Sequence, residues 1–168
     1  MLLFNDEVRN IKELTDKLIK YDDIHKVKVC VVAFIKESDN RYTLQLRGSK
    51  ARDCVGMIEA VGGSLNKSDH NLKNAILREL REETGSAAKY EIGSYLGVCK
   101  ETKYDLHTNE YIDWIIVGYQ VIHISGDIVN MEPLRCQEFV TRKLNEFKKK
   151  ELSDSCYTFI RYMIDNRM

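Results

Sequence analysis

The stretch ILRELREETG, Ile76 to Gly85, carries three glutamates, Glu79, Glu82 and Glu83, spaced i, i+3, i+4. On a wheel advancing about 100° per residue from Leu72, Glu83 falls near about +20° and Glu79 near about −20°. Ile76 and Leu80 fall at about +40° and about +80°, so the two glutamates share an arc with apolar residues; Glu82 lies at about −80°. That placement is costly three times over. A helix C-terminus disfavours carboxylates, like charges at i, i+4 repel, and burial adds desolvation. A hard divalent cation reverses all three signs. Mg²⁺ or Mn²⁺ takes oxygen ligands, keeps several waters and bridges to phosphate oxygens. The chemistry open to such a cluster is charge neutralisation, orientation of a phosphorus centre and activation of a water. The plain alternative is a solvated, charged helix end.

Several elements must hold that cluster. Leu72, Ala75, Ile76 and Leu80 mark a helix that ends at Gly85, a residue suited to a helix C-terminus. Upstream, KVKVCVVAFI is β-branched and almost continuously apolar, as a central strand is. RYTLQLRG alternates and pairs with it as a hairpin across SDN. GMIEAVGG leads through glycines into the polar loop SLNKSD. Strands are expected at KYEIGSYLGVCKE and DWIIVGYQVIHI, with TKYDLHTNEY as a polar loop between them. RCQEFVTRKL reads as a further strand, and SDSCYTFIRYMIDNR as a closing helix capped by Ser153. Val8, Ile11, Leu14, Leu18 and Ile19 recur at helical spacing and predict an N-terminal helix within residues 1–26. The order is mixed, an α/β (α+β) sandwich in one domain spanning 1–168.

GGSLNKSDHNLKNAILRELREETG, Gly62 to Gly85, resembles the Nudix box, whose pattern is Gly-x5-Glu-x7-Arg-Glu-U-x-Glu-Glu-x-Gly-U with U aliphatic. Arg78, Glu79, Leu80, Glu82, Glu83 and Gly85 match its second half; Ser86 replaces the last aliphatic residue. GMIEAVGG and NMEPLRCQEFVTRKLNEF also resemble the family's flanking segments, so the likeness covers roughly residues 27 to 165. The first half departs. Counted from Gly63 the first Glu falls on Asp69; counted back from Arg78 it falls on His70, one residue having been inserted.

The resemblance implies a Nudix-type α/β/α sandwich with a mixed sheet. It also implies Mg²⁺-dependent hydrolysis (Mn²⁺ substituting) of a nucleoside diphosphate linked to a group X, a nucleoside triphosphate or dinucleoside polyphosphate foremost. The alternative is a catalytically silent nucleotide sensor of the same fold. Carried onto this chain, the family's metal ligands are Glu79, Glu83, Glu82 and the carbonyl of Gly63, with Arg78 orienting a glutamate. Glu82 and Glu79 also stand as catalytic candidates. Glu132, after the last long strand, is the loop candidate for the general base; Glu101, Asp105, Glu110 and Asp113 are weaker ones. Arg47, Lys50 and Arg52 could hold phosphates. Among the aromatics Phe34, Tyr42, Tyr104, Tyr111, Trp114 and Phe139, Trp114 is the foremost candidate to stack a base and Tyr104 the second. For each of these aromatics, core packing is the competing role.

Composition narrows the partners. Lys plus Arg and Asp plus Glu number 26 each, which gives no global field for a nucleic-acid backbone. Five scattered cysteines without CxxC spacing fit a reducing, cytoplasmic setting. No apolar run reaches membrane-span length, and the opening MLLFNDEVRN lacks the basic flank of a secretion signal. A small nucleotide is the expected partner, and a homodimer is compatible with the neutral surface.

Overall fold

The computed structural model describes residues 2–3, 26–66, 68–69 and 71–168. The N-terminal helix expected within 1–26 lies outside the described residues, apart from a two-residue strand, β1 (Leu2–Leu3). His70 is likewise outside them.

Seven further strands follow: β2 (Val27–Lys36), β3 (Tyr42–Arg47), β4 (Ile58–Glu59), β5 (Val61–Ser64), β6 (Lys89–Asp105), β7 (Glu110–Ser125) and β8 (Cys136–Arg142). They form one mixed sheet in the order β1-β6-β7-β2-β3-β4, with β5 on β2 and β8 on β3. All pairings are antiparallel except β2 with β7, which run parallel from Val27↔Asp113 to Lys36↔Ile122. Helix α1 (Leu72–Thr84) and helix α2 (Asp154–Asp165) complete the fold, with short 3₁₀ turns at Leu144–Glu146 and Lys149–Glu151. The fold is α+β.

β2 explains the layering. Its side chains alternate between two cores, as a strand buried on both faces requires. Val31, Ala33 and Ile35 join Ala75, Ile76 and Leu80 of α1 on one side. Cys30 and Phe34 join Cys156, Phe159 and Ile160 of α2 on the other. Ser153 caps α2 as the sequence suggests, its Oγ accepting from Cys156 N at 3.3 Å, and Asn71 caps α1, its Oδ1 accepting from Asn74 N at 2.8 Å. Gly85, at φ 85°, ends α1 and donates to the Arg81 carbonyl.

The expected loop at 102–111 is corrected. β6 runs through Asp105 and β7 begins at Glu110, so the turn is only residues 106–109. Asp105 drives this: its carboxylate accepts from the backbone N–H groups of His107 and Thr108, at 2.8 and 3.2 Å. Trp114 therefore sits inside β7 rather than opening it.

Candidate active site

The C-terminal turn of α1 delivers the glutamates to the glycines of β5. Gly62 has φ 152°, and a Cβ there would collide with the Val31 carbonyl, so only glycine lets the chain pass this close to β2. Its N–H donates to Glu83 Oε2 at 3.2 Å. Gly63 is open for the same reason, since a Cβ on it would fall 2.5 Å from Glu79 Oε2. The loop after β7 closes the other side. Val129 N and Met131 N donate to the carbonyls of Thr84 and Glu83, at 3.0 and 3.1 Å, which satisfies free carbonyls at the end of α1. Asn130 then accepts from Glu132 N at 3.0 Å and donates to Cys136 O at 2.7 Å. Glu132 is thereby set beside the glutamates of α1.

Arg78 organises the near side. Its Nε and Nη2 donate to the two oxygens of Asp69, at 2.9 and 2.8 Å, a bidentate grip. Its Nη1 donates to Glu79 Oε1 at 2.6 Å and to Glu82 Oε2 at 3.1 Å. Of the two residues that could replace the first box glutamate, Asp69 is the one seen in contact with this arginine. Glu82 is the exposed member of the three, as its place on the wheel predicts, while Glu79 is 8% exposed.

These carboxylates crowd one another without enough cation. Burial, then Glu79 and Glu132 nearby, push the Glu83 carboxyl up to about 8. Burial likewise raises Glu79, although Arg78 opposes it. An all-oxygen donor set, half-buried and strained by its own charge, fits a hard divalent cation. Glu79 and Glu83 are the side chains that would hold it, with the Gly63 backbone adjacent and Glu82 at the wet edge.

One cavity of about 350 Å³ joins this cluster to the interior. Arg78, Glu79, Glu82, Glu83, Gly63 and Glu132 line it, and so do Arg47 and Trp114. Lys50 and Tyr104 do not. Lys50 is exposed, with its backbone N–H on the Leu134 carbonyl, and Tyr104 packs edge-on against the exposed Tyr111. Among the weaker base candidates Glu101, Asp105, Glu110 and Asp113, none lines it. Arg47 is not a free phosphate clamp: its Nη2 lies 3.1 Å from Asp53 Oδ1 and its Nε 3.4 Å from Glu59 Oε2.

Sequence reasoning missed two lining residues, Glu59 and Lys103, which form a buried ion pair. The signal was there. On a strand, Cys99, Glu101, Lys103 and Asp105 share one face with the apolar partners of β7, and charges at inward positions ask for an explanation. Asp53, Cys54 and Glu59 also come close enough to hold an ion. Arg47 and Lys103 already occupy both carboxylates, and burial pushes the Cys54 thiol up to about 12, so no metal site is needed there.

The NUDIX domain family model matches residues 25–158. The chain belongs to the Nudix family. Solved Nudix structures share its fold at low identity. A MutT NUDIX hydrolase from Burkholderia pseudomallei is 21% identical, with 82% of this chain and 98% of that one covered at a TM-score of 0.62. The MutT protein from Methanosarcina mazei Go1 is 20% identical over 86% and 99%, TM-score 0.64. A UDP-X diphosphatase is 15% identical over 94% and 72%, TM-score 0.59. A search of the curated proteins returns no match. Membership makes this Nudix chain a pyrophosphohydrolase. Among the described residues no helix is long and apolar enough to cross a membrane.

Proposed function

We propose that this Nudix hydrolase cleaves the diphosphate linkage of a nucleoside diphosphate bonded to a further group, with Mg²⁺ or Mn²⁺ as cofactor. A nucleoside triphosphate or a dinucleoside polyphosphate is the substrate. The observation that carries the reading is the convergence of Glu79, Glu83 and Glu132 on one cavity wall beside Gly62 and Gly63, with Glu83 pushed up to about 8 by its neighbours. Such a wall repels a diphosphate unless a cation stands between them. When bound, the divalent ion offsets charge on the bridging phosphates and lowers the pKa of water.

The chain's own groups do the rest. Glu79 and Glu83 would hold the ion. Arg78, clamped by Asp69, fixes the rotamer of Glu79 and keeps Glu82 in reach. Glu132 accepts the proton of the attacking water as that water bonds to phosphorus and the bridging P–O bond breaks. Arg135 Nη1, 3.2 Å from Glu132 Oε1, helps hold that carboxylate in position. The products are a nucleoside monophosphate and a second phosphorylated fragment, pyrophosphate in the case of a triphosphate. The MutT structures and the UDP-X diphosphatase support diphosphate chemistry through shared fold alone.

A substrate panel tests this. Nucleoside triphosphates, dinucleoside polyphosphates, ADP-ribose and nucleotide sugars are each incubated with Mg²⁺ and with Mn²⁺, and monophosphate release is followed. Glu83→Gln is the blank. Turnover of one class, lost in the blank, is expected. Silence across the panel with nucleotide binding intact would leave a sensor module instead.

A further inference from the structure

On β3 a glutamine faces the cavity, and the reaction described above gives it no task. Gln45 pairs across the sheet with Glu59 and lines the cavity with Arg47, two residues further along the strand. It is 2% exposed. A buried amide costs stability unless its hydrogen bonds are made, and an apolar side chain would fill the place without that cost. The reason for a glutamine therefore lies in its partners.

Gln45 Nε2 donates to the Ala60 carbonyl at 3.1 Å. A carbonyl only accepts, so this bond fixes which end of the amide is nitrogen. The second hydrogen of that nitrogen is left for Glu83, whose Oε2 lies 3.5 Å away. At that length the contact steers the carboxylate more than it binds it, and the 3.2 Å bond from Gly62 N holds the same oxygen. Two donors, from β3 and from β5, thus converge on Oε2. Among the described residues no hydrogen bond reaches Oε1 of Glu83. The pattern repeats at Glu79, where Arg78 Nη1 donates to Oε1 and Oε2 is the oxygen nearer the open side of Gly63.

Resting on the metal-dependent reading above, we propose that Gln45 is a positioning residue for Glu83: its amide, with the Gly62 N–H, occupies Oε2 and leaves Oε1 as the oxygen that Glu83 offers a divalent ion. Arg78 does the same for Glu79 from the opposite side. Each glutamate then has one oxygen tied to the protein and one free, and the freedom lost in orienting it is spent before the ion arrives. A neutral donor suits this task. An arginine at position 45 would orient Glu83 as well, but its charge would oppose the cation.

The test reads Mn²⁺ binding without substrate, by titration calorimetry, so it does not depend on which nucleotide is cleaved. Gln45→Met keeps the length of the side chain and removes both N–H groups. Its Kd for Mn²⁺ should rise at least about tenfold. With the best substrate of the panel, half-maximal turnover should need correspondingly more Mn²⁺, while kcat at saturating Mn²⁺ and the substrate KM stay within about threefold of wild type. A merely structural role would lower the melting temperature and leave the Kd alone. Should Gln45→Met fail to fold, the wild-type protein still answers. The side-chain amide resonances of Gln45, assigned through bonds from its backbone, are followed during a Mg²⁺ titration and should shift until they saturate at the calorimetric Kd. An unmoved Gln45 resonance, or an unaltered Mn²⁺ Kd in folded Gln45→Met, overturns the proposal alone. Wild-type protein that takes up neither ion would overturn the metal site of the reading above, and this proposal with it.

Discussion

Glu83 and Glu59 line the same cavity, and their carboxyls are displaced in opposite directions. At Glu83 burial and the neighbouring Glu79 and Glu132 drive the shift upward. At Glu59 burial also pushes upward, but Lys103 and Arg47 outweigh it and hold the carboxyl below its usual range. Burial is common to both, so the difference lies in what stands beside each group. Glu59 has its counter-charges built into the fold. Glu83 has an arginine only at a distance and two like charges close by. A protein tolerates such a deficit where something from solution corrects it, and a divalent ion is the simplest correction.

The contrast can be broken by exchanging charge for amide at each of the two glutamates. Glu83→Gln should lower turnover about 1,000-fold, roughly 4 kcal/mol of transition-state stabilisation, with little loss of folding. Steady-state kinetics alongside a thermal melt checks both halves. Without metal, the wild-type protein should lose stability as pH rises from the unfolded value of 4.5 towards about 8, because the folded state then gives up a proton it holds more tightly. Added Mn²⁺ should remove that slope, and so should Glu83→Gln. A metal-free melting temperature that is flat over this range would contradict the charge deficit.

Glu59→Gln should do the reverse. It leaves Lys103 and Arg47 short of a partner in the interior and should cost about 3 kcal/mol of stability, read by urea denaturation. Asp69→Asn sits between the extremes. It loosens the two-pronged hold on Arg78 and, through it, on Glu79, so Mn²⁺ affinity should fall about 10- to 100-fold with a smaller change in melting temperature. The smallest effect is expected outside the cavity. Burial would lower His123, but Glu37 and the Gly126 carbonyl raise it overall. Its contribution, under about 1 kcal/mol, should be complete below pH about 6.5 and fade as pH rises through its folded value. His123→Gln should flatten that limb and leave turnover alone.

The box was legible because its information is local. Helical period alone puts Glu79 and Glu83 among Ile76 and Leu80 and leaves Glu82 outside, and the structure buries them in that order. Asp69 was not separable from His70, since an inserted residue in a loop has no period to fix its register. The lining around Glu59 and Lys103 was not legible for a different reason. Glu59, Lys103, Trp114 and Phe159 come from β4, β6, β7 and α2, and no spacing relates them. The polar text around Lys103 also looked like a loop, although strand alternation sends its charges inward. Glu132 lay between these cases. Its position after the last long strand was readable, but the backbone bonds from Val129 and Met131 to the end of α1 were not.

The parallel pairing of β2 with β7 has a consequence for how the chain matures. Every other neighbour of β2 arrives from nearby sequence, but Val27 waits for Asp113 before its register is set. Closing so long a loop is a late and slow step for a folding chain. Trp114 comes beside Lys28 only through that pairing, and Glu132 lies beyond it in the sequence. The helix with the box glutamates can therefore form early on the ribosome, yet the cavity has no second wall until β7 has been synthesised. A nascent chain released before Asp113 would carry the three glutamates of α1 without the wall that β7 gives the cavity.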